Sequence, residues 1–493
     1  MRLRGSEPEF LLCDSALPAC MACEIGYLGR INEKNSLPLS RAFCGSCFPP
    51  AVEAMNRLGV KIHRFSEYLT KEEYQNAREV SRDLPLSQLQ RFTYHGVAVG
   101  EHAFAGALRF YARGDLNETP LSEKVQRQYL EAAVITTHAT TRLLQTEQFN
   151  CVVFNHGIYV PQGIIGEICR RKKVPVVNWS AAYRKHCFIF SHHDTYHHTM
   201  ISEPVDNWMS IPWDEHRERV LAGYLKSRWS GDNDWIWFHE KPLHRVGAAL
   251  TRLGVDPARP CIGMLTSVMW DAVLHYPSNA FANMLEWVFE TIDYFKSRPE
   301  LQLIIRIHPA EIQGGLPSQQ HVLDEIRKRF PTGIPRNVFV IPPESKLSTY
   351  ALMVKCNAVT IYNTKTGIEL AAMGIPVIVA GEAWIRNKGF SKDVSNPEEY
   401  FRILDHLPLP HRMNESDILL AKKYAYHFFF RRMIPLEFME PTGGNPPFRI
   451  NLKSIDELKP GRSRGLDLIC DGILNGTDFI FDQPTLEERL TLE

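Results

Sequence analysis

Val359-Thr-Ile-Tyr-Asn-Thr-Lys-Thr-Gly-Ile-Glu-Leu-Ala-Ala-Met-Gly-Ile-Pro-Val-Ile-Val-Ala-Gly381 is the stretch whose reading decides the fold. It opens on an apolar run rich in β-branched residues, the pattern of a buried strand. A hydroxyl-rich turn follows at Asn363, Thr364, Lys365, Thr366 and Gly367. A short helix then ends at Gly374, with Pro376 just beyond as a stop, and a second apolar strand covers 376–380. Strand, polar turn, helix, strand is the βαβ unit of a parallel sheet. The start of its helix offers free N–H groups and a partial positive charge, which suit a phosphate. An ordinary crossover with a capped helix would read the same way. Upstream, however, Leu303-Ile-Ile-Arg-Ile-His308-Pro309-Ala-Glu311 is a second buried strand. It delivers Arg306 and His308 to a strand C-terminal end, where open α/β sheets bind ligands. The two segments together point to a nucleotide site.

At 493 residues the chain is long enough for two or three domains. Its 44% hydrophobic and 23% charged content is that of a globular enzyme. Lys+Arg and Asp+Glu are both 56, which leaves no global field to recruit nucleic acid or an anionic membrane. No apolar run reaches the ~20 residues of a membrane span. The first residues lack the apolar core of a signal peptide. The expectation is a cytoplasmic protein, at most peripheral to a membrane.

Of eleven cysteines, five fall in the segment 13–47: Cys13, Cys20, Cys23, Cys44 and Cys47. The last four form Cys-x2-Cys, a twenty-residue spacer and Cys-x2-Cys, the arrangement of a four-thiolate structural zinc site. An iron–sulfur cluster would use the same ligands, and buried thiols acting as small hydrophobes are the plain alternative. Disulfides are not expected without an export signal.

The chain divides into two halves. Strands are expected near 10–13 and 60–65, helices at 50–58, within 71–89 and at 122–146. A second βαβ unit runs from the strand 151–155 through a helix at 162–171 to the strand 174–179. A Trp-, His- and Ser-rich connection covers 195–241. The next block holds strands at 261–265, 301–307 and 337–341 and a helix at 279–295. A helix at 419–432 and a Pro/Gly-rich tail close the chain. The expected organisation is an N-terminal Rossmann-like acceptor domain over 1–250, a nucleotide-sugar domain over 251–410, and C-terminal helices and tail over 411–493. The fold class is α/β, with two Rossmann-like domains facing across a cleft in the GT-B manner and an N-terminal cysteine-rich segment.

Several motifs carry a family resemblance. Leu265-Thr-Ser-Val-Met-Trp-Asp271, Arg306-Ile-His-Pro-Ala-Glu311, Pro342-Pro-Glu-Ser-Lys-Leu-Ser-Thr-Tyr350 and Asn363-Thr-Lys-Thr-Gly-Ile-Glu369 resemble bacterial capsule and surface-polysaccharide biosynthesis proteins. Leu12-Cys-Asp-Ser-Ala-Leu-Pro-Ala-Cys20 is similar to sequences of the same group. His-Pro followed by a Ser/Thr-rich turn also resembles GT-B sialyltransferases and Kdo transferases. There, His and hydroxyls hold the nucleotide of a CMP-sugar. The resemblance implies a glycosyltransferase with a nucleotide-sugar donor and an oligosaccharide or lipid-linked saccharide acceptor, and no catalytic cofactor. CMP-Kdo is the favoured donor type. The turn departs from the Ser-Ser or Ser-Thr usual in those families, and Lys365 suits a diphosphate at least as well, so UDP- and GDP-sugars stay open. A CDP-glycerol-type phosphotransferase, a nucleotide-sugar epimerase and a non-catalytic assembly subunit are the alternatives.

Within that reading, Arg306, His308, Thr364, Lys365, Thr366 and Gly367 form the nucleotide site. Glu369, one turn into the helix, either accepts both hydroxyls of a ribose or pairs with a surface lysine. His156, at a strand end before Gly157, is the candidate general base, with Asp271 the competitor. His193 and His197 stand at metal-ligand spacing, but a polar acceptor-side loop is the preferred reading of the run 191–198.

Overall fold

The computed structural model describes residues 1–25, 38–235, 242–274, 277–444 and 446–482. Its strands, in chain order, are β1 (Glu9–Leu12), β2 (Lys61–Arg64), β3 (Val152–Asn155), β4 (Val176–Ala181), β5 (Cys187–His192), β6 (Cys261–Leu265), β7 (Gln302–Arg306), β8 (Val338–Ile341), β9 (Ala358–Ile361), β10 (Val377–Val379), β11 (Lys392–Asp393), β12 (Met433–Pro435), and the antiparallel pair β13 (Met439–Pro441) and β14 (Phe448–Ile450).

The second half folds as expected. Its six strands lie in the order β11-β10-β9-β6-β7-β8, all parallel. Every residue of β6, β7, β9 and β10 is buried, which is why these strands read as unbroken apolar runs rather than alternating ones. The chain starts at β6, steps outward to β7 and β8, then returns to lay β9 against the other side of β6. The crossovers at β6 and β9 therefore leave in opposite directions and open a crevice at the C-terminal ends of those two strands. The helix Met284–Phe295 covers one face, starting later than expected because Asn283 caps it by accepting from the Glu286 N–H.

The first half is less regular. β3, the helix Gln162–Arg171 and β4 form the expected βαβ unit, with β3 and β4 parallel. β5, however, returns directly from β4 through a tight turn, which permits only antiparallel pairing. Met433–Pro435 then adds to β5, also antiparallel. The sheet of this half is thus a mixed four-stranded one in the order β12-β5-β4-β3. β1 and β2 form a separate parallel pair. The 27-residue helix Pro120–Thr146, with Thr119 as its cap and Pro120 in its first turn, is the spine of this half's core.

Two expected boundaries differ. The connection 195–241 holds the helices Tyr196–Ile201, Asp206–Met209 and Glu215–Ser227. Thr195 and Asp214 cap two of them through side-chain oxygens. The C-terminal segment is not separate either. The helix Glu415–Tyr426 runs through a π turn at His427–Arg431 into β12, so this segment returns to complete the sheet of the first half. His427 Nε2 meets Glu203 Oε1 at 2.9 Å on the way.

The halves touch at several polar points. The Gln319 N–H donates to the Ala112 carbonyl at 2.9 Å, and Gln320 Nε2 to Asp115 Oδ2 at 2.8 Å. On the opposite side, Lys388 Nζ donates to the Ile201 carbonyl at 2.8 Å. Among the described residues no helix is long and apolar enough to cross a membrane.

Candidate functional site

The crevice at β6 and β9 is a real cavity of about 560 Å³. Thr266 and Ser267, just past β6, and Asn363 to Thr366, just past β9, line it. The Ser267 hydroxyl donates to Asn363 Oδ1 and ties the two strand ends together. His308, Asp271, Tyr183, His197 and Arg228 complete much of the wall, so both halves contribute.

His308 follows β7 and is half-buried. Its backbone N–H donates to Thr266 Oγ1 at 3.1 Å, and its Nδ1 accepts from the Ala310 N–H at 3.0 Å. A ring whose Nδ1 accepts carries its neutral-form proton on Nε2, so this histidine is set up to donate from Nε2. Thr364 and Thr366 line the same cavity, their hydroxyls 3.3 Å apart.

Other expected site residues have different tasks. The helix after the turn spans only Thr366–Ala372, seven residues, and Thr364 Oγ1 already accepts from the Thr366 N–H at 3.4 Å. Side chains, more than a helix dipole, must therefore define this wall. Gly367 does not line the cavity: a Cβ there would lie 2.6 Å from Ile361 Cδ1, so glycine lets the helix pack against the sheet. Arg306 reaches the cavity wall, but its guanidinium donates to the carbonyls of Pro342 and Ser345 and holds the loop after β8. Burial lowers it to about 10.

Glu369 is fully buried and does not line the cavity. Its Oε2 accepts from Arg228 Nε at 2.8 Å and from the Tyr350 hydroxyl, and its Oε1 from Lys365 Nζ at 3.0 Å. Neither expected role is formed as such: the lysine it pairs with is Lys365 in the cavity wall rather than a surface one, and the buried carboxylate lies away from the cavity where a ribose would sit. Burial by itself would raise this carboxyl, but the two cations and the tyrosine hydroxyl bring it down to about 2. Lys365, which also sits 4.4 Å over the Tyr183 ring, is lowered by burial and by the neighbouring Arg228. Its charge lies at the wall, held by Glu369 rather than projecting into the cavity as a free arm.

Both candidate bases neighbour Tyr159, but only Asp271 lines the cavity; His156 lies behind His197, which does. His156 ends β3 with φ +68°, and its neighbour Gly157 leaves no room for a side chain, since a Cβ would come 2.5 Å from Asn178 Nδ2. Nδ1 of His156 has no hydrogen-bond partner among the described residues. Its ring lies 5.0 Å from Tyr159 and 5.9 Å from His197, centroid to centroid. Tyr159 donates to Asp271 Oδ1 at 3.2 Å. Burial lowers the basicity of His156, with the Asp271 charge pulling the other way and Arg109 adding to the fall. His197 is held far below an ordinary histidine, by burial first and then by His156 and His198. Two adjacent imidazoles in a desolvated site stay neutral near pH 7, the state a general base needs.

Sequence reasoning missed Tyr159 and Arg228 as site residues, and named His197 only within an acceptor-side loop. Tyr159 had a usable signal, standing three residues after His156. Arg228 had none, because its partners Asp234 and Glu369 lie on separate segments. In the run 191–198, the helix begins at Tyr196. That turns His197 toward the cavity while His198 pairs with Asp194 at 3.1 Å.

Cys20, Cys23, Cys44 and Cys47 lie in one region, close enough for Cys44 to act electrostatically on both Cys23 and Cys47. Among the described residues, no group of three or more His, Cys, Asp or Glu side chains is arranged to hold a metal ion. Cys44 and Cys47 open the helix Cys44–Leu58, and Cys20 and Cys23 lie on the turn packed beneath Tyr129.

No family model and no curated protein matches this chain. Solved structures do resemble it loosely. The beta Kdo 2,4 transferase of KpsC from Thermosulfurimonas dismutans is 13% identical, over 56% of this chain and 79% of that one, at a TM-score of 0.36. The beta Kdo 2,7 transferase of the same protein is 12% identical over 63% and 85%, at 0.34. A UDP-GlcNAc 2-epimerase from Neisseria meningitidis bound to UDP-GlcNAc is 12% identical over 71% and 92%, at 0.23. Likenesses this loose, to proteins of different activities, decide nothing about the chemistry of this chain.

Proposed function

We propose that this protein is a nucleotide-sugar-dependent glycosyltransferase acting on a capsular or surface polysaccharide. The observation that supports it most is the crevice between β6 and β9. Phosphate-compatible groups (His308, Thr364, Thr366) and Asp271 line one cavity with His197 of the first half, and His156 stands just behind that wall, its ring 5.9 Å from His197 and within the field of Asp271. The donor's phosphate would lie against Nε2 of His308 and the two threonine hydroxyls, where fixed donors stabilise charge building on the leaving group. Lys365 and Arg228 would add positive potential from the wall. On the other side His156, neutral and kept near the Asp271 carboxylate, would take the proton of the acceptor hydroxyl as it attacks the anomeric carbon. A CMP-sugar such as CMP-Kdo is the first donor to test, with UDP- and GDP-sugars next.

A panel of CMP-, CDP-, UDP- and GDP-linked donors tests the proposal, with released nucleotide measured with and without a lipid-linked saccharide acceptor. Acceptor-dependent release of one nucleotide is the expected result. Conversion of the sugar without acceptor would mean an epimerase, and transfer of a phosphoalditol with release of CMP would mean a phosphotransferase. No consumption of any donor would leave a non-catalytic assembly role. The four-thiolate zinc site remains a proposal too, tested by elemental analysis of protein purified without chelator.

A further inference from the structure

The turn Cys20-Met21-Ala22-Cys23 packs against the segment that follows the candidate base His156, meeting it at Val160. The Cys23 N–H donates to the Cys20 carbonyl at 3.0 Å, closing a four-residue turn, and the Cys20 N–H donates to Cys23 Sγ at 3.4 Å. A turn closed this way keeps its end Cα atoms within about 7 Å, and a disulfide needs about 4.4–6.8 Å. The two side chains already share a hydrogen bond. Cys23 is buried, and Cys20 is half-buried.

The residue between them is wired to the site. The Met21 N–H donates to the Val160 carbonyl at 2.8 Å, and the Met21 carbonyl accepts from Arg109 Nη1 at 2.7 Å. The Arg109 guanidinium lies 5.6 Å over the Tyr159 ring. The Tyr159 hydroxyl then holds both Asp271 Oδ1 and, at 3.0 Å, the Ala272 N–H.

We propose that Cys20 and Cys23 form a redox-active dithiol whose closure to a disulfide disturbs the Met21–Arg109–Tyr159 connection and so loosens Asp271. The oxidant is a small-molecule disulfide of the glutathione type. The Cys20 thiolate attacks one of its sulfurs and expels the other as a thiolate. Cys23 then gives up its proton, attacks the mixed disulfide at Cys20 and expels the second thiol. Two protons and two electrons leave the pair, and the oxidant becomes two thiols. The attacking role falls to Cys20 because it is the more exposed of the two thiols, Cys23 being buried. Closure shortens the sulfur separation to about 2.05 Å. That contraction acts on the two-residue span whose backbone holds Val160 and Arg109.

The test uses the full chain and needs no knowledge of the sugar donor. The protein is treated with glutathione disulfide, its remaining thiols are alkylated, and disulfides are mapped by peptide mass spectrometry. Hydrogen exchange is followed at Met21 and Ala272. The expected result is a Cys20–Cys23 bond, about tenfold faster exchange at both amides, and full reversal by dithiothreitol. A Cys20→Ser/Cys23→Ser variant should keep the slow exchange of the reduced protein under oxidant. Exchange along β7 in that variant reports whether it is folded. Pairing of Cys20 with Cys44 or Cys13 instead would overturn the proposal. So would a Cys20–Cys23 bond that leaves Ala272 exchange unchanged, or a bound zinc that must be chelated away before either thiol reacts.

Discussion

The Tyr159 hydroxyl donates to Asp271 Oδ1 at 3.2 Å and accepts from the Ala272 N–H at 3.0 Å. One side chain of the first half thus fixes both the carboxylate and the backbone of a loop in the second. Ala272 sits at φ +53°, a left-handed conformation that disfavours alanine, and a hydrogen bond to its N–H helps hold it there. The candidate base pair is therefore an interdomain construction, and its chemistry depends on how the halves meet.

The pH dependence of turnover should show this. Burial places the His156 titration below the ordinary value of 6.5, and Asp271 partly restores it. The base works only when neutral, so kcat/KM should rise with pH to a plateau, with the acid midpoint below 6.5. Asp271→Asn removes the charge that favours the imidazolium and should move that midpoint lower still. A midpoint above 6.5, or one that rises in the Asn variant, would exclude His156 as the base.

Donor binding and turnover should separate. His308→Ala removes a hydrogen-bond donor to phosphate, a contact of about 1.5–3 kcal/mol, and should weaken nucleotide binding about tenfold or more. His156→Ala should leave nucleotide affinity unchanged while kcat falls about 10²-fold or more. Calorimetric titration with the nucleotide that the wild-type protein binds, set beside initial rates, checks both.

Arg228 should matter to stability before it matters to substrate. It pairs with Glu369 and Asp234, and all three are buried. Arg228→Met leaves two carboxylates short of their cation and should cost about 3–5 kcal/mol, read as a lower urea midpoint. Glu369 titrates at about 2, so its contribution is present above pH about 4.5 and is lost as pH falls toward 2. Glu369→Gln should remove that acid-side dependence.

Glu311 should act in the opposite direction. It is 1% exposed, its Oε2 lacks a hydrogen bond among the described residues, and His321 Nδ1 stands 3.5 Å away. Burial raises it from 4.5 to about 7. The folded state therefore holds the proton more tightly. Stability from this group is fully present below pH 4.5 and lost as pH rises through 7, by on the order of 3 kcal/mol at 1.36 kcal/mol per unit. Glu311→Gln should unfold with a flatter pH profile and be more stable than the wild type at pH 8. Equal stabilities at pH 5 and pH 8 in the wild type would refute this.

The parallel sheet of the second half was legible in the chain because each of its central strands is buried on both faces, which leaves local apolar runs such as 301–307 and 359–361 bounded by turn residues. His308, Thr364 and Thr366 were legible for the same reason: a strand end followed by a polar turn is a local pattern, and the crevice forms where such ends meet. The first half was harder to read. That β5 pairs antiparallel with β4, and that Met433–Pro435 crosses the chain to join it, depends on partners far apart in sequence. The role of Glu369 was left undecided between a ribose and a lysine because burial and the positions of Arg228 and Tyr350 exist only after folding. By itself the sequence determined the central strands of the second half, which turns carry hydroxyls, and that the cysteines are paired two residues apart, since each is set by neighbours along the chain. Tertiary structure alone decided that Tyr159 holds Asp271, that Glu369 is spent on an ion pair, and that the Cys20–Cys23 turn is tied through Met21 to Val160 and Arg109. Charge pairing and burial are properties of distance in space, and the chain's own order does not encode that distance.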